Sequence, residues 1–104
     1  MSKLKKISKQ KVSAIQKNKR KKASFSIEAP VAKEVILLGD FNQWDPKVHP
    51  MENDGNGVWA KSIMISPGKY EYKFLIDGQW KEDPGNEQTC PNRFGTMNSI
   101  LNLS

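Results

Sequence analysis

A chain of 104 residues carrying 17 Lys/Arg against 11 Asp/Glu, with one cysteine and one histidine, has room for one domain and a small core. The lone cysteine excludes an internal disulfide, and with a single histidine it cannot build a Cys/His metal cluster; neither metal nor cofactor is expected. The longest apolar run, Val35-Ile-Leu-Leu38, is far short of the roughly 18 residues of a membrane span. No apolar region follows the basic N-terminus, so it does not read as a secretory signal, and the expectation is a soluble protein of the cytoplasm.

The charge is unevenly spread. Residues 1–22 hold ten Lys/Arg and no acid, which leaves seven basic residues against all eleven acids in the remainder, a net charge of −4 there. The overall +6 therefore belongs to the tail, and the pI of the whole chain is a poor argument for nucleic-acid binding. The tail is rich in Lys, Ser and Gln and has no Gly, Pro or aromatic residue. Its plain reading is a solvated, disordered segment. Leu4, Ile7, Val12 and Ile15 also fall on one side of a helical wheel, so a helix formed on an acidic protein or an anionic surface is the second reading. Nucleic acid as the main partner comes last.

From Ala23 the texture changes to short alternating runs. Phe25, Ile27 and Ala29 share one parity, and Pro30 closes this first strand. Glu34–Leu38 is a nearly continuous apolar strand of the kind covered on both faces. The run Gly39-Asp-Phe-Asn-Gln-Trp-Asp-Pro46 is a loop rich in turn residues, with Phe41 as a core plug and Gly39 as a backbone turn. Asp54-Gly-Asn-Gly57 marks a tight turn before a strand at Val58–Ile65, in which Trp59 is a packing residue. Ser66-Pro-Gly68 leads into the strand around which the chain is organised.

In Lys69-Tyr-Glu-Tyr-Lys-Phe-Leu-Ile-Asp-Gly-Gln-Trp80, Tyr70, Tyr72, Phe74 and Ile76 share one parity. Lys69, Glu71 and Lys73 take the other, which presents Lys73 outward. Asp77-Gly78 is a strong hairpin signal, because a type I′ turn requires positive φ at both central residues. Trp80 stands on the short returning segment. Residues 82–93 read as a long polar loop, with Cys90 as an incidental thiol, and Met97–Leu103 as the closing strand. His49, alone beside Pro50, is taken as a surface residue. About five to seven short strands with turn signals between them, and no helix after residue 22, indicate an all-β antiparallel sandwich over residues 23–104.

The order of these motifs is specific. Val35-Ile-Leu-Leu-Gly-Asp-Phe-Asn-Gln-Trp44, then Gly68-Lys-Tyr-Glu-Tyr-Lys-Phe-Leu-Ile-Asp-Gly-Gln-Trp80, Asp83-Pro84 and Phe94-Gly-Thr-Met-Asn-Ser-Ile100 closely resemble carbohydrate-binding module family 48. That family includes the glycogen-binding domain of AMP-activated protein kinase beta subunits and the N-terminal modules of isoamylase-type and branching enzymes. The resemblance covers residues 23–104. It implies an immunoglobulin-like sandwich of the early-set type that binds α-1,4-linked glucan, such as glycogen or starch, and does no chemistry itself. The carbohydrate-binding residues it implies are Trp44, Lys73, Trp80 and Asn98, together with Phe94 before Gly95, where the kinase subunits often carry Leu.

These residue types suit the task. Flat aromatic rings cover the apolar C–H faces of glucose with few rotors to freeze, and two tryptophans at an angle suit successive sugars of a helical α-glucan. Lys73 and Asn98 offer donors and an acceptor to the hydroxyl edges. Catalysis is a poor rival, because a glycosidase needs two carboxylates facing across a cleft, and Asp40, Asp45, Asp54 and Asp77 each sit where turn chemistry already explains them. The alternative is a protein–protein interaction scaffold of the same fold. An adaptor that grips glucan and recruits an acidic partner through its tail combines the two roles.

Overall fold

The computed structural model describes residues 19–104; the expected basic tail, apart from its last four residues, lies outside them. In chain order the described elements are β1 (Lys21–Glu28), β2 (Val35–Gly39), a 3-10 turn (Asp40–Asn42), β3 (Glu52–Asn53), β4 (Val58–Ile65), β5 (Gly68–Ile76), β6 (Gln79–Lys81), β7 (Thr89–Pro91) and β8 (Met97–Leu103). Two antiparallel sheets result. One has the order β1-β4-β3, and the other β2-β5-β8-β7, with β6 added against the end of β5.

Alternation along β1 decides the first sheet. Ala23, Phe25 and Ile27 point inward and are buried, while Lys22, Ser24 and Ser26 face out. Pairing begins at Lys21↔Ile65 and ends at Glu28↔Val58. The strand thus starts two residues before the composition change at Ala23: a paired edge strand tolerates Lys21 and Lys22 because its outer face and free edge are solvated. Trp59 is buried and its Nε1 donates to the Ala29 carbonyl at 3.1 Å, which makes it a core residue as expected.

The core lies between the sheets. Phe25, Ile27, Trp59 and Ile63 of the first sheet meet Val35, Leu37, Tyr72 and Phe74 of the second, with Met51 beside them. Aromatic packing is extensive here. The Phe25 ring meets Tyr72 edge-on at 5.0 Å and Phe41 at 5.5 Å, and Phe41 meets Tyr70 at 5.8 Å. Phe41 is therefore the plug of that end of the sandwich. Gly39 is required by space, since a Cβ there would stand 2.7 Å from the Glu71 carbonyl oxygen and 2.8 Å from the Phe41 ring.

The β5–β6 hairpin forms as the Asp-Gly pair implies, with φ of 47° at Asp77 and 83° at Gly78. The Asp77 carboxylate also accepts from the backbone N–H groups of Lys33 and Glu34. It thereby pins the turn to the entrance of β2. The region after β6 departs from the sequence reading. The stretch expected as loop over residues 82–93 contains β7, paired through Thr89↔Ser99, Cys90↔Asn98 and Pro91↔Met97. Three residues ending in proline carry no strand signal, yet a sheet edge accepts Pro because the N–H it lacks would face outward. Asn92–Thr96 then closes β7 onto β8 as a hairpin, with Gly95 at φ 84°, the left-handed residue that a three-residue loop demands.

Candidate functional site

The outer face of the second sheet is set by parity. Tyr72 and Phe74 of β5 point into the core, so Glu71, Lys73 and Leu75 point away from it. Register places Leu38 beside Lys73, and Ile36 and Trp80 on either side of Leu75. Asn98 of β8 lies opposite Cys90. Ile36 and Leu38 are buried although neither belongs to the inter-sheet core. This outer face is covered, not washed by water.

The cover includes the loop after β2. Gln43 and Trp44 adopt left-handed φ of 55° and 58°, a conformation that costs a non-glycine residue of order 1–3 kcal/mol and needs support from its surroundings. Asn42 supplies it. Buried to 3 % exposure, its Oδ1 accepts from the backbone N–H groups of Gly39 and Trp44, both at 3.1 Å. Its Nδ2 donates to the Leu37 carbonyl at 3.0 Å and to His49 Nδ1 at 2.9 Å. Asp40 holds the side chain itself: Oδ1 accepts from Trp44 Nε1 at 3.0 Å, and Oδ2 from the backbone N–H of Glu71 at 2.8 Å. So fixed, the Trp44 indole meets that of Trp80 at 6.2 Å with 62° between the ring planes. The two rings form an angled aromatic corner, and Trp80 remains 53 % exposed.

The polar groups are joined to that corner in one chain of hydrogen bonds. From Asp40 it runs through the Glu71 backbone to the Glu71 carboxylate, which accepts from Asn98 Nδ2 at 3.0 Å. Asn98 Oδ1 accepts from Asn92 Nδ2 at 2.9 Å, and Asn92 also donates to Thr96 Oγ1 at 2.8 Å. Lys73 Nζ ends the chain by donating to the same Thr96 hydroxyl at 3.0 Å. Lys73 and Asn98 are each only 7 % exposed. Lys73 faces outward as its parity requires, but its ammonium is tied to Thr96 and the side chain is buried, so it is not a solvated strand lysine. Phe94 stands at the tip of the β7–β8 hairpin, 77 % exposed, with the Arg93 guanidinium 5.2 Å from its ring centroid.

All five expected site residues thus lie on one system. Trp44, Lys73 and Asn98 belong to the hydrogen-bonded chain, Trp80 joins through the Trp44 ring, and Phe94 joins through its backbone N–H to Asn92 Oδ1. The groups that position them, Asp40, Asn42, Asn92 and Thr96, were read from sequence as turn residues or not singled out. His49 is half-buried against Phe41, where a surface position was expected. Its pKa lies below the ordinary histidine value, from burial first and from the nearby Lys61 ammonium second. Cys90 lies on β7 and not in a loop; burial first and the Glu71 carboxylate second push its thiol pKa up, and it stays protonated.

The arrangement has a defined chemical capacity. Trp44 has spent its N–H on Asp40 and has only its ring to offer. Among the described residues Lys73 uses one of its three ammonium protons and Asn98 one of its two amide protons. Asp40, Glu71 and Asp77 are each occupied by positioning bonds. Among the described residues no group of three or more His, Cys, Asp and Glu is arranged to hold a metal ion.

Residues 25–104 match the family model of the glycogen recognition site of AMP-activated protein kinase. Protein PTST homolog 2, chloroplastic, of Arabidopsis thaliana is 49 % identical over 53 residues, which cover 51 % of this chain and 10 % of that protein. The 5'-AMP-activated protein kinase subunit beta-2 of Mus musculus is 35 % identical over 71 residues, covering 68 % of this chain and 25 % of that one. Protein FLOURY ENDOSPERM 6, chloroplastic, of Oryza sativa subsp. japonica is 40 % identical over 73 residues, 70 % of this chain and 13 % of its own. The chain therefore spans a tenth to a quarter of the length of these relatives. Among solved structures, maltogenic amylase from S. marinus superposes with a TM-score of 0.70 over 85 % of this chain and 14 % of its own, at 23 % identity, a likeness of fold.

Proposed function

Because the chain belongs to the family of the glycogen recognition site of AMP-activated protein kinase, we propose that it is a non-catalytic binding module for α-1,4-glucan of the glycogen or starch type. The observation that carries this reading is the angled Trp44–Trp80 corner, standing beside Lys73 and Asn98 on one tethered network. The two rings would cover the apolar faces of adjacent glucose units, with Lys73 and Asn98 meeting hydroxyl edges and exposed Phe94 making an outer apolar contact. The site carboxylates are engaged in positioning bonds, which supports binding without catalysis.

Each sugar hydrogen bond is worth only about 0.5–1.5 kcal/mol net, because water is displaced from both partners. Weak binding of single short chains and stronger retention on a particle with many chain ends follow from this. The basic run of residues 3–22 supports a second contact, to an acidic protein or an anionic surface, and with it an adaptor role. The single cysteine fits a reducing compartment, and we place the protein in the cytoplasm.

Affinity electrophoresis in gels with and without glycogen tests the reading. Wild type should be retarded by glycogen, and the Trp44→Ala/Trp80→Ala protein should migrate as in the plain gel. Free migration of the wild type would sink the glucan reading and favour the scaffold.

A further inference from the structure

The hydrogen bonds around Asn42 decide the state of a residue outside the sugar site. The orientation of this amide is not open, because Oδ1 accepts from two backbone N–H groups, those of Gly39 and Trp44. Both Nδ2 protons are therefore directed at acceptors, one at the Leu37 carbonyl and the other at His49 Nδ1. His49 Nδ1 must carry a lone pair. The ring is neutral with its proton on Nε2. It is also held in place from behind, since the His49 carbonyl accepts from the Leu37 N–H at 3.0 Å and the ring packs against Phe41.

We propose that His49 is a positioning residue of the glucan site, acting through Asn42 on the left-handed backbone that presents Trp44. Among the described residues the Asn42 amide has four partners, of which His49 is the one side chain, and the strained pair Gln43–Trp44 depends on that amide. Adding a proton to Nδ1 would set two donors face to face and release the amide on one side. The Lys61 ammonium acts in the same sense. Lys61 shares the inward parity of Trp59 and Ile63 on β4, and Arg20 and Tyr70 line the same cleft; among the described residues no carboxylate lines it. The neutral ring is thus favoured by its hydrogen bond, by burial and by charge. The inference rests on the glucan reading for its effect on binding, but its effect on Trp44 does not.

The test compares full-length wild type with His49→Leu, which has no acceptor, and His49→Asn, whose side-chain oxygen stands near the Nδ1 position. Maltoheptaose affinity at about pH 7.5 should fall between about two- and tenfold in His49→Leu, the size of one net hydrogen bond, and be restored in His49→Asn. Trp44 Nε1–H, assigned by its loss in Trp44→Phe, gives a readout independent of sugar. In the wild type its NMR signal should titrate with the same midpoint as the His49 ring protons. In His49→Asn that midpoint should vanish, while Asp40 and Glu71 remain in both proteins to report any carboxylate effect. Identical Trp44 pH profiles in wild type and His49→Asn would overturn the proposal, as would unchanged affinity and an unmoved indole signal in His49→Leu. Should the wild type bind no maltoheptaose, the glucan reading fails, and the indole titration still decides the role of His49.

Discussion

Asp40 offers the sharpest test of how the site is held. Its two carboxylate oxygens accept from two donors, Trp44 Nε1 at 3.0 Å and the Glu71 backbone N–H at 2.8 Å. Asp40→Asn keeps the shape but leaves one oxygen, so its NH2 must confront the other donor. The oxygen should turn to Glu71, whose strand N–H has nowhere else to go, and the indole N–H should be lost to water. A hydrogen bond to a charged group is worth about 1.5–3 kcal/mol; Asp40 is exposed, so water compensates in part and about 1–1.5 kcal/mol is expected. That corresponds to roughly a five- to tenfold loss of affinity for maltoheptaose. The core is untouched, so the urea midpoint should move little. Isothermal titration calorimetry and urea unfolding read the two effects separately. Asp54→Asn is the charge control, because Asp54 caps the turn before β4 through Asn56 and Val58, away from the tryptophans. Wild-type affinity in Asp40→Asn, or an equal loss in Asp54→Asn, would refute the positioning role.

Other outcomes follow from the same geometry. Trp80→Ala should abolish retardation in glycogen gels while shifting the thermal midpoint little, because the ring is half exposed. Phe74→Ala removes a fully buried ring and should cost about 3–5 kcal/mol in urea unfolding; a cost below about 1 kcal/mol would contradict the placement of the core. Gly39→Ala has no room for its methyl group beside the Glu71 carbonyl and Phe41, so it should lower both stability and glucan affinity by shifting the start of the Trp44 loop. Stability should also fall as pH drops below the ordinary histidine range. The His49 pKa is lowered in the folded state, so the unfolded chain binds the proton first, and the stability present above about pH 6.5 is lost as pH falls. Urea midpoints between about pH 7.5 and pH 5 should show a loss that is smaller in His49→Asn, and equal slopes in the two proteins would contradict the assignment.

The elements legible in the sequence are those whose signals are local. The period-two pattern in β1 and β5, the Asp77-Gly78 turn and the Gly-bearing turn before β4 each follow from the residues within a few positions, because side-chain alternation and positive φ are local demands. Motif order likewise marked Trp44, Lys73, Trp80, Phe94 and Asn98 as a set. β7 was not legible. Thr89-Cys-Pro91 is a strand only because β8 offers it an edge, and nothing in three residues announces a partner that arrives later in the chain. The burial of Lys73 had the same cause: parity says which face it takes, whereas the Trp44 loop and the β7–β8 hairpin decide that this face is covered. The roles of Asp40, Asn42 and His49 were not legible either. Turn chemistry alone would explain Asp40 and Asn42, and His49 reads as a surface residue, yet Asp40 also holds the backbone N–H of Glu71, 31 positions on, and His49 meets the Asn42 amide seven positions away. Sequence by itself determined the longer strands, the turns and the aromatic residues available for binding. Tertiary structure decided which polar groups hold them, because a hydrogen bond depends on distance in space and carries no periodic mark along the chain.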